Sequence, residues 1–187
     1  MKTSHGGDSR YFNYLNGSGN DDGLNGGDQT DWILGNRGND LIIANGGDDL
    51  IAGGTGNDHI LAGSGNDLVN GNQGVDFMDG GPGSDMFFGG SGADIFSFGI
   101  LPYEGSSGSM PSDIDGDIIA DYNYIEGDVI LIDRVDLIHN ITQVGSDVHI
   151  VVDRLGDYTL DNRIIVQDST VSLVSDGIVD LGLVPNF

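Results

Sequence analysis

The chain has 187 residues, enough for one or two small domains, but 33 of them are glycine and only 37% are hydrophobic, which excludes a large conventional core. Six basic residues stand against 30 acidic ones, and the resulting formal charge of −24 argues against nucleic acid or an anionic membrane as partner and favours cations. With no cysteine, disulfides cannot stabilise a chain of this composition, and a metal ion is the obvious candidate for that role.

Residues 1–16 form the first predicted segment. They mix charged and aromatic residues and contain no apolar stretch of the kind that a Sec-type signal peptide requires. No run of about 18 apolar residues occurs in the sequence, so no membrane span is predicted. Asn13 and Leu15 have the spacing of the units that follow, which indicates a degenerate repeat at this end.

Residues 17–97 are predicted to form a repeat array, because two series of residues recur in phase every nine positions. The first series consists of Asp22, Asp31, Asp40, Asp49, Asp58, Asp67, Asp76, Asp85 and Asp94. An apolar residue follows two positions after each aspartate, namely Leu24, Ile33, Ile42, Ile51, Ile60, Val69, Met78, Phe87 and Phe96.

The unit reads Gly-Gly-x-Gly-x-Asp-x-apolar-x and is clearest in residues 53–61, 80–88 and 89–97. Glycines allow positive φ, so the first six residues can form a turn whose carbonyl oxygens converge, and the aspartate adds a carboxylate. The last three residues have the alternation of a short strand, with the apolar side chain pointing to the core. Turns and strands are therefore expected to alternate along the array.

This pattern resembles the RTX calcium-binding nonapeptide repeat of bacterial proteins secreted by the type I pathway. The resemblance implies an all-β fold, a right-handed parallel β-roll with two nonapeptides per turn, and Ca²⁺ ions between each loop and the loop two motifs further on. It pairs Asp22 with Asp40, and so on to Asp76 with Asp94, which gives about seven inter-loop sites. It also implies backbone carbonyl ligands, for example those of Gly53, Thr55, Gly71 and Gly74 beside Asp58 and Asp76. All-oxygen coordination with several carbonyls suits Ca²⁺ better than Mg²⁺.

Several units depart from the pattern. Asn20 and Gln29 replace the fourth glycine, and Ala44 and Asn45 replace the first two in their unit, so the sites with Asp22 and Asp31 depart most from the family. Asn36, Asn45 and Asn72 at position two are compatible with the pattern, since asparagine enters the left-handed region more readily than most residues.

Calcium is expected to be required for folding. The few inward side chains bury too little apolar surface to offset the entropy of ordering a glycine-rich segment, and the like charges of the aspartates oppose closure. Without Ca²⁺ the array is expected to be a disordered polyanion. The alternative is a metal-free solenoid in which the aspartates only make Asx turns.

Outward positions carry apolar rows. Trp32, Leu50, Leu68 and Met86 are expected on one face and Leu41, Phe77 and Ile95 on the other. Such rows form a binding surface, for a polysaccharide or for self-association, or are covered by a neighbouring domain.

Residues 98–187 are predicted to form a β-rich segment that caps the roll. Strands are expected over residues 117–124, 128–133, 147–153, 163–167 and 171–174. The stretch from Asp117 to Asp133 resembles the segment that caps the roll in serralysin-type proteases and in the R-modules of mannuronan C5-epimerases. Asp113, Asp115 and Asp117 either hold a further cation or form a solvated acidic loop. The ending Asp180-Leu-Gly-Leu-Val resembles an uncleaved type I secretion signal.

No catalytic motif is present: the sequence lacks H-E-x-x-H and G-x-S-x-G, and its four histidines stand far apart. The sequence therefore predicts a non-catalytic, secreted extracellular module that binds calcium and folds on binding it. The alternatives are a non-catalytic module of a larger extracellular enzyme of the alginate epimerase, protease or lipase type, and a calcium-dependent adhesin module.

Overall fold

The computed structural model describes residues 12–98, 115–123, 125–132, 138–152, 163–167 and 178–179. Within these ranges every regular element is a β-strand, as the all-β prediction requires. None of the described elements is a helix long and apolar enough to cross a membrane.

The degenerate first repeat and the repeat array together contribute ten strands, of three to seven residues each. They are β1 (Asn13–Asn16), β2 (Gly23–Asn25), β3 (Asp31–Arg37), β4 (Leu41–Gly46), β5 (Leu50–Thr55), β6 (His59–Ser64), β7 (Leu68–Gln73), β8 (Phe77–Asp79), β9 (Met86–Ser91) and β10 (Ile95–Phe98). The C-terminal segment adds β11 (Asp115–Ile119), β12 (Val129–Ile132), β13 (Ile138–Val144), β14 (Asp147–Val152), β15 (Arg163–Val166) and β16 (Ile178–Val179).

The strands alternate between two sheets, which is the topology of a parallel β-roll. One sheet has the order β1-β3-β5-β7-β9-β11-β15-β14-β13, and the other has the order β16-β12-β10-β8-β6-β4-β2. Within the array each residue pairs with the residue 18 positions further on, for example Ile33 with Ile51 and Ile51 with Val69. Two nonapeptides therefore make one turn, and the predicted fold class is confirmed.

The core is the inward apolar series. All of its members from Ile33 to Phe96 are buried, and Leu24 at the N-terminal end is partly buried against them. Leu15 is buried beside Ile33, because β1 pairs with β3 in the register that the degenerate first repeat predicted. At the other end the core becomes aromatic, since Phe87 packs edge-on against Phe96 and Phe98 with ring centroids 6.1 and 5.7 Å apart.

Both sheets continue beyond the array into the C-terminal segment. β11 pairs with β9 and β12 pairs with β10, both in parallel, and Ile119 and Ile130 take the inward position of the repeats. Strands β13, β14 and β15 then form an antiparallel end to the first sheet.

The C-terminal strands differ in extent from the sequence-based expectations. The strand expected over 117–124 spans Asp115–Ile119, and Ile138–Val144 and Ile178–Val179 are strands that were not predicted. The strand expected over 171–174 lies outside the described residues.

Candidate metal centre

The aspartates of the array form a continuous chain of hydrogen bonds, the Asp ladder. The backbone N–H of each donates to Oδ1 of the aspartate 18 residues further on, over 2.7–3.0 Å. The structure therefore brings together all the sequence-predicted pairs: Asp22 and Asp40, Asp31 and Asp49, Asp40 and Asp58, Asp49 and Asp67, Asp58 and Asp76, Asp67 and Asp85, and Asp76 and Asp94.

The Asp ladder is buried from Asp31 onward, and in six of its members the second carboxylate oxygen lacks a partner. From Asp31 to Asp94 each ladder aspartate is at most 3% exposed. Oδ2 accepts no hydrogen bond in six of them, namely Asp40, Asp49, Asp58, Asp67, Asp76 and Asp94. A buried, unpartnered carboxylate oxygen costs free energy unless a positive group balances it. A row of bound cations would supply the positive charge that this row of oxygens needs.

Burial also makes the ionised form of these carboxylates unfavourable. Desolvation, reinforced by neighbouring aspartates, raises the pKa of Asp49 and Asp76 to about 7. Desolvation likewise raises the pKa of Asp58 and Asp67 to about 6. At the N-terminal end the pKa of Asp22 is instead lowered, because Ser18 donates hydrogen bonds to its carboxylate. A divalent cation beside the buried aspartates would restore their ionised form.

Backbone oxygens lie next to these carboxylates. A side chain on Gly53 would meet Asp58 Oδ2 and the Gly71 carbonyl, and one on Gly71 would meet Asp76 Oδ2 and the Gly89 carbonyl. The Thr55 carbonyl accepts the N–H of Gly38 at 2.9 Å and keeps a second lone pair. Gly74 has a φ of +143° and lies against the Gly56 carbonyl. Glycine is thus required at Gly53, Gly71 and Gly74, because a side chain there would collide with the aspartate of its own loop or with the backbone of a neighbouring turn.

No group of three or more His, Asp or Glu side chains suited to a metal ion occurs among the described residues. Carboxylates alone do not make a centre, so a cation held by the ladder needs backbone carbonyls as well. That donor set suits Ca²⁺, which takes six to eight oxygens in a flexible arrangement.

The expectation for the asparagines at position two is confirmed. Asn36, Asn45 and Asn72 have φ angles of 80°, 79° and 77°, so they occupy the left-handed region where other units have glycine.

A second ladder, the Asn ladder, was not predicted from the sequence. The side-chain oxygens of Asp21, Asn39, Asp48, Asn57 and Asn66, at position five, each accept the N–H of the residue 18 positions further on, over 2.7–3.0 Å. In the Asp ladder the earlier residue of each pair donates its N–H to the later one. In the Asn ladder the later residue donates to the earlier one. The sequence feature that indicates the Asn ladder is an Asp or Asn directly before a ladder aspartate.

The Asp ladder extends beyond the array. Asp85 donates its N–H to Asp117 Oδ1 at 2.8 Å, and Asp94 donates to Asp128 Oδ1 at 2.9 Å. Asp128 was missed, although Asp117 with Ile119 and Asp128 with Ile130 repeat the Asp-x-apolar spacing. Of the three aspartates considered for a further ion, Asp117 thus joins the ladder. Asp113 and the side chain of Asp115 lie outside the described residues.

The outer apolar rows lie as expected. Trp32, Leu50 and Leu68 stack in register and are 37–43% exposed, and Tyr14 extends the row with its ring 5.5 Å from that of Trp32. On the opposite sheet the exposed Leu41 leads a row in which His59 packs on Phe77, with ring centroids 4.6 Å apart.

Comparison with known proteins identifies the repeat. A family model described as the RTX calcium-binding nonapeptide repeat (4 copies) matches residues 25–60, 43–78 and 61–96. No curated protein matches the chain.

Solved structures similar to the chain include two bacterial examples. One is the AlgE6R3 subunit of the Azotobacter vinelandii mannuronan C5-epimerase, at 20% identity and a TM-score of 0.34, covering 100% of this chain and 91% of that one. The other is the extracellular lipase LipA from Serratia marcescens, at 16% identity and a TM-score of 0.36, covering 91% of this chain and 40% of that one. With TM-scores this low, neither likeness carries an argument about this chain.

Proposed function

We propose that this chain, whose residues 25–96 are RTX calcium-binding nonapeptide repeats, binds Ca²⁺ between successive loops of its β-roll and folds when it does so. The observation that carries the proposal is the row of buried, unpartnered Oδ2 atoms on the Asp ladder. Calcium supplies the positive charge that these oxygens need, and its binding free energy then becomes folding free energy.

The ligands in this proposal come from the Asp ladder and from the turns. Each pair of aspartates 18 residues apart contributes carboxylate oxygens, and carbonyls such as those of Gly53, Thr55, Gly71 and Gly74 complete the coordination beside Asp58 and Asp76. The pairs from Asp22 with Asp40 to Asp76 with Asp94 correspond to about seven ions.

The physiological role follows from the concentration of calcium outside and inside a bacterial cell. Inside, where free Ca²⁺ is scarce, the chain stays unfolded and fit for export by the type I pathway, with its C-terminal residues as the signal. Outside, Ca²⁺ folds the roll, and residues 98–187 cap its C-terminal end. The module itself is non-catalytic in this proposal, and it serves either alone or as part of a larger extracellular enzyme.

The test is a titration of Ca²⁺ into metal-depleted protein, followed by circular dichroism. A cooperative rise in β signal is expected, with a midpoint from about 10⁻⁴ to 10⁻³ M. Mg²⁺ at the same concentrations is the control and should fail to induce the change, since it demands a tight octahedron. A full β spectrum in excess chelator would refute the proposal and favour the metal-free solenoid.

A second candidate function is calcium-dependent self-association, as in an adhesin. It is favoured by the exposed row of Tyr14, Trp32, Leu50 and Leu68, which carries no charge in a chain of net charge −24. Sedimentation of the calcium-loaded protein distinguishes it, since a monomer at all concentrations excludes association through this face. A polyuronate is a weaker candidate for the same surface, because six basic residues provide no basic stripe.

A further inference from the structure

The last loop of the array, residues 89–94, contacts the C-terminal segment as the inner loops contact one another. Asp94 donates its N–H to Asp128 Oδ1 at 2.9 Å, within the 2.7–3.0 Å range of the inner pairs. Ile95 pairs with Val129 on one side, as it pairs with Phe77 on the other. Asp128 therefore occupies the position of the next ladder aspartate, although its loop has none of the glycine pattern.

Asp94 carries the same unpartnered oxygen as Asp58 and Asp76 in the inner loops. It is 0% exposed, and its Oδ2 accepts no hydrogen bond. This oxygen lies against Gly89, as Asp58 Oδ2 lies against Gly53. The feature that calls for a cation between inner loops is therefore also present where the array meets the C-terminal segment.

The C-terminal segment adds negative charge at this place. In the inner turns the N–H groups of Gly56 and Gly74 donate to neutral carbonyls, but the equivalent N–H of Gly92 donates to Glu126 Oε2 at 3.0 Å. Asp121 accepts from the N–H groups of Gly89 and Gly90 at 2.7 and 2.9 Å. The charges of Asp121 and Glu126 act on Asp94.

We propose that the last loop and the C-terminal segment hold an additional divalent cation between Asp94 and Asp128, where the nonapeptide array ends. The inference rests on the proposed function and adds a site to it. The ligands are Asp94 Oδ2, the remaining lone pairs of the Asp128 carboxylate and backbone carbonyls of the loop. Unlike Asp94, Asp128 has both oxygens hydrogen-bonded, Oδ1 to the N–H of Asp94 and Oδ2 to the N–H of Asn123 at 2.8 Å. Asp121 and Glu126 add negative charge nearby without being ligands, since no group of three or more such side chains suited to a metal ion occurs among the described residues. A hard cation with oxygen ligands, Ca²⁺ above all, fits this set.

The direct test is the number of calcium ions bound per folded chain in Asp128→Asn, measured by native mass spectrometry at saturating Ca²⁺. The amide oxygen still accepts the N–H of Asp94, but the carboxylate is gone and the amide nitrogen cannot accept the N–H of Asn123 as Oδ2 does. One ion fewer than in the unchanged protein is expected, with the β signal retained. An equal number of ions in a folded variant overturns the inference.

A second variant decides the matter if Asp128→Asn does not fold. Glu126→Gln keeps an oxygen for the N–H of Gly92 and removes one charge. It is expected to weaken the binding of one ion by about fivefold or more, from the loss of one nearby charge. Asp147→Asn is the control, because it likewise removes one acidic charge, but at the start of β14 and not in a loop of the roll. A calcium titration of Glu126→Gln that equals that of the unchanged protein refutes the site.

The two failures are distinguishable. If the proposed function is wrong, the unchanged protein shows no calcium-driven folding at all. If only this inference is wrong, the unchanged protein folds with calcium and both variants match it.

Discussion

The aspartates of the ladder act on both neighbouring turns. Asp58 accepts the N–H of Asp40 at its Oδ1 and donates its own N–H to Asp76, both at 2.8 Å. Each inner aspartate therefore joins three turns and, in the proposed function, borders two calcium ions. Asp22 differs, because it is only half-buried and its Oδ2 is engaged by Ser18.

We therefore expect Asp58→Ala to disturb folding more than Asp22→Ala. The first removes a carboxylate from two sites in the middle of the roll, and the second removes one from a single site at its degenerate end. Coupling between neighbouring repeats spreads the loss of a central site to both sides. Calcium midpoints measured by circular dichroism compare the two variants. A midpoint raised more by Asp22→Ala would show that the ladder pairs do not form the sites.

For single residues, the sequence predicts the Asp ladder but not the Asn ladder. The nine aspartates recur without interruption, so their spacing is visible at once. At position five, Thr30, Val75, Ser84 and Ala93 interrupt the series of Asp and Asn, and Asp or Asn in a turn has an ordinary local role that conceals a contact to another turn. Only the stacking of turns brings these side-chain oxygens close to the N–H groups that donate hydrogen bonds to them.

The strands of the roll do not form independent units. Each array strand has at most seven residues and buries few side chains, so its stability comes from the strands 18 residues before and after it. Such a stack needs an end that covers the final core residues. Here β11 and β12 extend the two sheets, and the ring of Tyr122 lies 6.4 Å from that of Phe96.

The register of this end could not be predicted because two features conceal it. Asp117 and Asp128 follow their ladder partners by 32 and 34 residues rather than 18, because the nine-residue spacing ends after Phe98 and these two aspartates are themselves 11 residues apart. Positive φ angles also move to Gly116 and Gly127, directly before the aspartate, so the glycine pattern of the repeat is lost. The strands β13 to β15 have ordinary alternation, but their antiparallel order depends on contacts that no repeat specifies.

Truncation after Ser97 is expected to leave the chain largely disordered, or to shift its calcium midpoint to much higher concentration. The truncated chain loses the pairing of β10 with β12 and of β9 with β11, and it exposes Phe87 and Phe96. It also loses the acceptors for the N–H groups of Asp85 and Asp94. Circular dichroism during a calcium titration measures the midpoint. An unchanged midpoint would show that residues 98–187 are an independent passenger.

For the whole molecule, the net negative charge opposes folding. Thirty acidic residues against six basic ones repel one another in any compact state, and the roll places a row of carboxylates within its buried loops. Two kinds of positive partner can relieve this repulsion: calcium ions or protons. They act on the same carboxylates, so pH should change folding in opposite directions in the absence and presence of calcium.

Without calcium, acidification should favour the folded roll. The pKa values of Asp49 and Asp76 are raised from 3.8 to about 7, and those of Asp58, Asp67 and Asp128 to about 6, mainly by desolvation. A raised pKa means that the folded state binds protons more tightly than the unfolded state. The resulting stability is fully present below about pH 4 and is lost as pH rises through about 6 to 7. The metal-free protein should therefore show more β signal at about pH 5 than at about pH 8.

With calcium the sign reverses, because protons and Ca²⁺ compete for the same oxygens and a protonated carboxylate is a poor ligand. The calcium midpoint should be higher at about pH 5 than at about pH 8, although the metal-free roll is less unfavourable there. Circular dichroism of metal-depleted protein and calcium titrations at both pH values provide the two measurements. If the β signal of the metal-free protein fell on acidification, the buried carboxylates would not be the groups that oppose folding. If the calcium midpoint stayed constant, they would not be the groups that bind the ion.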